Sequence, residues 1–117
     1  MIYFIYGDQS ALIKQRIKTI SKEALIVQDE MNFTRLDASE TLIQECVDEA
    51  NYIPLGYDNK IVVLENCYFL LSPKPKNKID GDQNFKKFID YIKNPNPSTE
   101  LIVTVNSSSL NEKNEIV

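Results

Sequence analysis

The first position with a possible binding role is the turn at Gly7, which follows an apolar run and precedes a helical pattern. In α/β proteins this junction binds phosphate, because the amino terminus of a helix offers free N–H groups and a positive dipole. A P-loop also needs a second glycine five residues later, then lysine, then serine or threonine. Those three positions hold Leu12, Ile13 and Lys14, and Asp8 adds a charge of the same sign as phosphate. The sequence therefore predicts no nucleotide or other cofactor at this turn.

The other polar groups also fall short of a catalytic or metal site. The chain has no histidine, which removes the commonest general base and zinc ligand. Glu65 is a single carboxylate where a metal-assisted NTPase has an acidic pair, and Asn106 is interpreted as a loop-capping residue. Cys46 and Cys67 lie among apolar residues and are interpreted as core side chains. We expect neither catalytic residues nor a metal site in this domain.

Short apolar runs alternate with segments of helical period along the chain, which favours a mostly parallel sheet in a three-layer α/β/α fold. The predicted strands are Ile2–Tyr6, Asn32–Leu36, Lys60–Glu65 and Leu101–Val105. Apolar stripes predict helices within Leu12–Ala24, Leu42–Ala50 and Phe85–Ile92, and a further helical period begins at Leu110. Predicted helix caps are Asp37 or Ser39 for the second helix and Asp82 for the third.

Charge and hydropathy limit the classes of partner. The net charge of −4 argues against a domain that grips duplex DNA by itself, because such affinity comes mainly from lysine and arginine. The row of Lys14, Lys18 and Lys22 is interpreted as a solvated helix face. No signal peptide is recognised, no apolar run approaches the roughly 20 residues that span a bilayer, and the two thiols suit a reducing compartment. We expect a cytoplasmic domain with no membrane contact.

Several segments, in their order and spacing, resemble the amino-terminal domain of the delta subunit of bacterial DNA polymerase III, a part of the clamp loader. The segments are Ile2–Asp8 with Leu12–Lys14, Phe33–Asp37, Ala50–Leu55, Lys60–Asn66 with Tyr68–Leu70, and Pro95–Pro97 before Leu101–Val105. The resemblance implies an AAA+ (P-loop NTPase-like) module that lacks the P-loop. It also implies that residues 1–117 are a fragment without the lid and collar domains. The implied strand order is first, fourth, third, second, with a further strand beside the first beyond Val117.

The function implied by the resemblance is binding of the ring-shaped sliding clamp and opening of one of its interfaces, while sister subunits hydrolyse ATP. The family's clamp-binding element lies between the second helix and the third strand, where two adjacent large apolar side chains enter a pocket. The matching stretch here is Tyr52–Asp58, and the clamp-binding residues expected within it are Ile53, Pro54, Leu55 and Tyr57. Gly56 stands where the second large residue is usual, and Tyr57 can supply that bulk. Alternatively, Ile53 and Leu55 close the core and Tyr57 is a turn residue.

The implied partners are the sliding clamp and the other clamp-loader subunits, with DNA reached only indirectly through the assembled complex. Such subunits share the name of a holoenzyme that is a DNA-directed DNA polymerase, a nucleotidyltransferase, but these residues carry no polymerase chemistry. The alternative interpretation is a divergent nucleotide-binding or phosphotransfer α/β enzyme domain. A receiver-like signalling domain would need paired acidic residues after the first strand, and Asp8 stands there alone.

Overall fold

The computed structural model describes residues 1–24, 32–52, 56–71 and 75–107. Its main elements, in chain order, are β1 (Ile2–Tyr6), α1 (Ser10–Ala24), β2 (Phe33–Asp37), α2 (Ile43–Asn51), β3 (Lys60–Glu65), α3 (Phe85–Lys93) and β4 (Thr99–Val105). Short 3₁₀ turns at Tyr68–Leu70 and Asp80–Asp82 lie between β3 and α3. The predicted strands and helices are confirmed to within a few residues. The helical period predicted from Leu110 lies outside the described residues.

The four strands form one parallel sheet in the order β1-β4-β3-β2. In the two central strands, Val63 pairs with Arg35 of β2 on one side and with Ile102 of β4 on the other. Parallel neighbours need a crossover connection, which is why helices separate the strands along the chain. The predicted α/β fold class and strand order are confirmed. The further strand expected beyond Val117 stays a prediction.

The sheet is covered on both faces, because β3 and β4 present apolar side chains in both directions. Ile61 and Val63 pack with α1, whose buried face is Ile13, Ile17 and Ile20. On the opposite face, Val62 and Leu64 belong to the larger cluster with α2 and α3. All four of these β3 side chains have no exposed surface. Full burial of such a side chain is worth about 1.5–3 kcal/mol, so these two faces account for the three-layer arrangement.

The two cysteines belong to the core, as predicted. Cys46 on α2 and Cys67 after β3 are both free and fully buried. Burial raises the pKa of the Cys46 thiol to about 12, and burial also raises the pKa of Cys67. Neither thiol is therefore ionised at neutral pH, and both act as small apolar side chains.

The predicted caps of α2 and α3 are wrong, because local turns take up the expected side chains. Asp37 accepts hydrogen bonds from the Ser39 N–H and hydroxyl at 2.9 and 2.6 Å, in a turn that ends before α2 begins. The first N–H of α2, that of Ile43, instead donates to Gln83 Oε1 at 2.8 Å. Asp82 lies in its own 3₁₀ turn, and Asn84 caps α3 by accepting from Lys87 N–H at 3.2 Å.

None of the helices in the described ranges is long and apolar enough to cross a bilayer.

Candidate functional site

The turn between β1 and α1 lacks the groups that hold a phosphate. A pocket of about 210 Å³ at this turn is lined by Ile5, Tyr6, Gly7, Asp8, Gln9, Leu12 and Ile13. The only charged side chain in that lining is the carboxylate of Asp8, and Leu12 is 58% exposed. A phosphate would meet an apolar wall and a like charge here, whereas P-loops surround it with amide groups and a lysine.

A second pocket, of about 130 Å³, lies at the carboxyl ends of the strands, where open α/β sheets commonly bind ligands. Glu65 lies in its lining, and its Oε1 accepts from Arg35 Nη1 at 2.8 Å. Asn66 donates its amide to Asp37 Oδ1 at 3.2 Å, and its φ of 57° places it in the left-handed region that asparagine tolerates. Asn106, predicted to be a loop-capping residue, also lines this pocket.

Groups of the same chain therefore hydrogen-bond to Glu65 and Asp37, the carboxylates at this end of the sheet. The hydrogen bond from Ser39 is the main cause that lowers the pKa of Asp37, and Asn66 adds to it. Within the described residues, no three histidine, cysteine, aspartate or glutamate side chains come together in a way that could hold a metal ion. Glu65, the single carboxylate where a metal-assisted NTPase has an acidic pair for Mg²⁺, is paired with Arg35.

The predicted clamp-binding segment lies at the opposite end of the sheet, between α2 and β3. Ile53, Pro54 and Leu55 lie outside the described residues, and Tyr57 is half-buried. On the amino-terminal side, Tyr52 ends α2 in an extended conformation and is 56% exposed. On the other side, Gly56 has a φ of 90°, a conformation that a large side chain disfavours. This backbone conformation explains why glycine stands where a large residue was expected.

A buried ion pair holds the two ends of this segment together. Lys60, the first residue of β3, is fully buried, and its Nζ contacts Glu49 Oε1 on the last turn of α2. The same Nζ donates to the Glu49 carbonyl oxygen at 3.1 Å and lies 5.1 Å from the centre of the Tyr52 ring. Thr34 Oγ1 also donates to Glu49 Oε1, at 3.1 Å. These contacts offset the cost of removing the ammonium from water.

The last turn of α2 is held by β4 as well. Thr99 Oγ1 donates to the Ala50 carbonyl oxygen at 2.6 Å, so a second carbonyl that the helix leaves unsatisfied gains a partner. A cation at the carboxyl end of a helix also suits its dipole, which adds to the contact between Lys60 and the Glu49 carbonyl. The end of α2 is thus fixed to two central strands.

Sequence reasoning missed three residues of this arrangement. The helical pattern predicts that Glu49 lies opposite the apolar stripe of the second helix and faces water, which is wrong, because Lys60 and Thr34 contact its carboxylate. Lys60 was predicted to begin a strand, but no partner was named for its charge. The available signal was a lysine at the start of an apolar run, opposite an acidic residue at the end of the preceding helix. Tyr52, an aromatic residue just after the apolar stripe of α2, was not included among the site residues.

Three comparisons place these features among known proteins. The family model for DNA polymerase III, delta subunit, matches residues 3–117. The chain is 24% identical over 117 residues to DNA polymerase III subunit delta of Bacillus subtilis (strain 168), covering 98% of this chain and 33% of that protein. It is similar to the solved Bacillus subtilis DNA clamp loader delta protein, with a TM-score of 0.82 and 23% identity over 97% of this chain and 33% of that one. The structural likeness shows the fold, and the chain spans about a third of the length of both relatives.

Proposed function

Because the chain belongs to the delta subunit family of DNA polymerase III, a clamp-loader family of DNA replication, we propose that it is the amino-terminal part of a subunit that binds the sliding clamp and helps to open the ring. The contact is made by the segment between α2 and β3, through Ile53, Pro54, Leu55 and Tyr57. In this proposal the domain is not catalytic and uses no cofactor. Its other partners are the remaining clamp-loader subunits, with DNA reached through the assembled complex in the cytoplasm.

The observation that carries this proposal is the anchoring of the α2–β3 segment. Lys60 ties the beginning of β3 to the last turn of α2 through Glu49, and Thr99 fixes the same turn to β4. A segment held at both ends loses less conformational entropy when it is ordered by a partner. Large apolar side chains on such a segment are suited to insertion into a pocket on another protein.

Tyr52, the first residue of the matching stretch, was not among the expected clamp-binding residues, and its exposure adds it to them. The residue is 56% exposed, and the buried ammonium of Lys60 lies against its ring. Aromatic side chains with a fixed orientation are favoured anchors at protein interfaces. We therefore add Tyr52 to the proposed clamp-binding surface, which then comprises residues 52–57.

The direct test is a titration of the chain with its cognate sliding clamp, followed by calorimetry and by size-exclusion chromatography. We expect a complex that elutes ahead of either protein alone. A chain that is folded by circular dichroism but gives no heat and no co-elution with the clamp would contradict the proposal.

A nucleotide-binding or phosphotransfer domain is the second candidate, and the polar pocket at the carboxyl ends of the strands favours it. That pocket includes Ser10, Lys14 and Asn106, which could contact an anion. The apolar turn at Gly7 opposes it, because triphosphate binding relies on that turn. Calorimetry with Mg-ATP separates the two candidates. We expect no binding, and a dissociation constant in the low micromolar range would contradict a purely binding role.

A further inference from the structure

A groove of about 420 Å³ lies between α1 and β2, the strand at one edge of the sheet. Ile17 and Phe33 contribute apolar surface to it, and Ser21 contributes a hydroxyl group. The cations that line it, all exposed, are Lys14, Lys18, Lys22 and Arg35. We call this surface the basic groove. It gathers four positive charges on a chain whose net charge is −4.

The lysines of the basic groove keep their charge available. Arg35 pairs with Glu65 and lies over the ring of Phe33, with 5.4 Å between its guanidinium carbon and the ring centre. In contrast, no carboxylate of the described ranges forms an ion pair with Lys14, Lys18 or Lys22. The row that the sequence suggested to be a solvated face therefore faces an arginine and an apolar floor across a concave surface.

The spacing of the lysines suits a regularly charged polymer. Residues four apart on an α-helix are separated by about 6 Å along its axis, so the three ammonium groups can follow a row of charges about 12 Å long. Lys14 and Arg35 also line the smaller pocket at the carboxyl ends of the strands. That pocket continues the basic groove with the polar side chains of Ser10, Asn66 and Asn106.

We propose that the basic groove binds the phosphate backbone of a single-stranded nucleic acid. A positively charged groove that follows the backbone is one of the two features by which proteins hold single strands without reading their sequence, the other being aromatic side chains on which bases stack. Among the described residues that line the groove, Phe33 is the one aromatic residue. The three lysines belong to α1, which packs against one face of the sheet, and they share the groove with Phe33 and Arg35 of β2. An acidic peptide added to the edge of the sheet at β2 would lie in the plane of the sheet, away from this row.

This contact is direct, whereas the resemblance implies DNA contact only through the assembled complex. The net charge describes the whole chain, but binding in the groove depends on the charges nearby. The Debye length is about 8–10 Å at physiological salt, so a bound strand feels mainly the charges of the groove and little of the distant carboxylates. The affinity of three such contacts is weak and falls with rising salt.

The test uses the whole chain and a fluorescein-labelled oligothymidylate, with binding followed by anisotropy at several salt concentrations. With three lysine–phosphate contacts, a plot of log K against log salt has an expected slope of about −2, because Arg35 is already paired with Glu65. The variant K14Q/K18Q/K22Q should bring that slope close to zero and weaken binding at least tenfold at about 50 mM salt. The matched control K76Q/K86Q/K93Q removes the same charge from three exposed lysines elsewhere and should keep the slope of the natural chain.

Four results would overturn the proposal. The first is that the oligonucleotide does not bind at about 50 mM salt, and the second is that both triple variants lose the same affinity for it. The third and fourth are that a duplex of the same length, or polyglutamate, binds more tightly than the oligonucleotide. The last result would assign the groove to an acidic peptide. Thermal melts confirm that both variants are folded. The clamp titration is measured on the same variants, so failure of the groove and failure of clamp binding are distinguishable.

Discussion

The two ends of the sheet handle polar groups in opposite ways. At the carboxyl end, Arg35 and Glu65 form an exposed ion pair, while Asp37 is used within a turn. At the amino end, Lys60 is fully buried and contacts Glu49 at the base of the α2–β3 segment. The carboxyl end has the position of a ligand site in α/β folds but neutralises its own charges. The amino end stabilises a connection between a helix and a strand.

This difference indicates how a nucleotide-binding architecture can serve binding alone. Loss of the phosphate loop requires only that residues such as Leu12 and Ile13 replace glycine and lysine at the turn after β1. The sheet and its helices persist, because Ile13 packs in the core on the α1 face and the larger core on the other face includes neither residue. The proposed interaction surface then resides at the other end of the sheet, beside the contacts between Lys60 and Glu49. The following changes test that assignment, in order of decreasing expected effect.

The largest effect is expected from Glu49→Leu, which leaves the buried ammonium of Lys60 without its carboxylate. Breaking one side of a buried ion pair costs about 3–5 kcal/mol of unfolding free energy. Because the Glu49 side chain is 34% exposed, we expect the lower value, measured by urea unfolding. The control Glu45→Leu, at an exposed position of the same helix, should change stability little.

The double variant with Lys60→Met sharpens this test. An apolar pair of similar size is often as stable as a buried ion pair, so the double variant should recover most of the lost stability. Equal losses for Glu45→Leu and Glu49→Leu, or no recovery in the double variant, would show that the amino end is not held by this pair.

The next effect concerns Leu55→Ala, which should weaken clamp binding about thirtyfold, or about 2 kcal/mol, while the melting temperature changes little. The reason is that a leucine anchor is buried by the partner and not by its own domain. Leu12→Ala removes a leucine that is 58% exposed on α1 and should leave clamp affinity unchanged. If Leu55 belongs to the core, truncation costs about 2–5 kcal/mol of stability instead, and the anchor moves to Tyr57 or Ile53.

Much of the fold could be predicted from the sequence because its signals are local. Consecutive β-branched residues from Ile61 to Val63 indicate a strand buried on both faces, and the stripe of Ile13, Ile17 and Ile20 indicates the helix that covers one of them. The order of the strands came from the family resemblance, because no local pattern determines which parallel strands are neighbours.

The site was less predictable because it depends on contacts between separate elements. The partner of Lys60 lies 11 residues earlier in the chain, and that of the Ile43 N–H lies 40 residues later at Gln83. Propensity rules placed helix caps at Asp37 or Ser39 and at Asp82, but Asp37 and Ser39 hydrogen-bond to each other in a turn before α2, and Asp82 lies in a 3₁₀ turn before α3. Tyr57 was named from the resemblance, whereas Tyr52 became a candidate only from its exposure.

A smaller effect is expected from Gly56→Ala at the end of the α2–β3 segment. A Cβ here would meet no atom within 4 Å, so the cost is that of an L-residue at a φ of 90°. We expect about 1 kcal/mol of lost stability by thermal unfolding, with weaker clamp binding if the segment changes shape. Gly81→Ala is the matched control, because it also meets open space but requires no positive φ. Equal stability and equal clamp affinity of the two variants would mean that the positive φ at Gly56 does not determine the shape of the α2–β3 segment.

The smallest effect is expected at the carboxyl end, in the pH dependence that Asp37 adds. Hydrogen bonds from Ser39 lower the pKa of Asp37 below its usual 3.8. The folded state therefore favours the carboxylate, and this stability is present above that value and lost as the pH falls through the folded pKa. Ser39→Ala should lower the free energy of unfolding at neutral pH, and its deficit should shrink as the pH falls through the folded pKa of Asp37. A deficit that is constant with pH would show that Ser39 acts through packing. The hydrogen bonds from Ser39 would then not be what holds the Asp37 carboxylate in its turn.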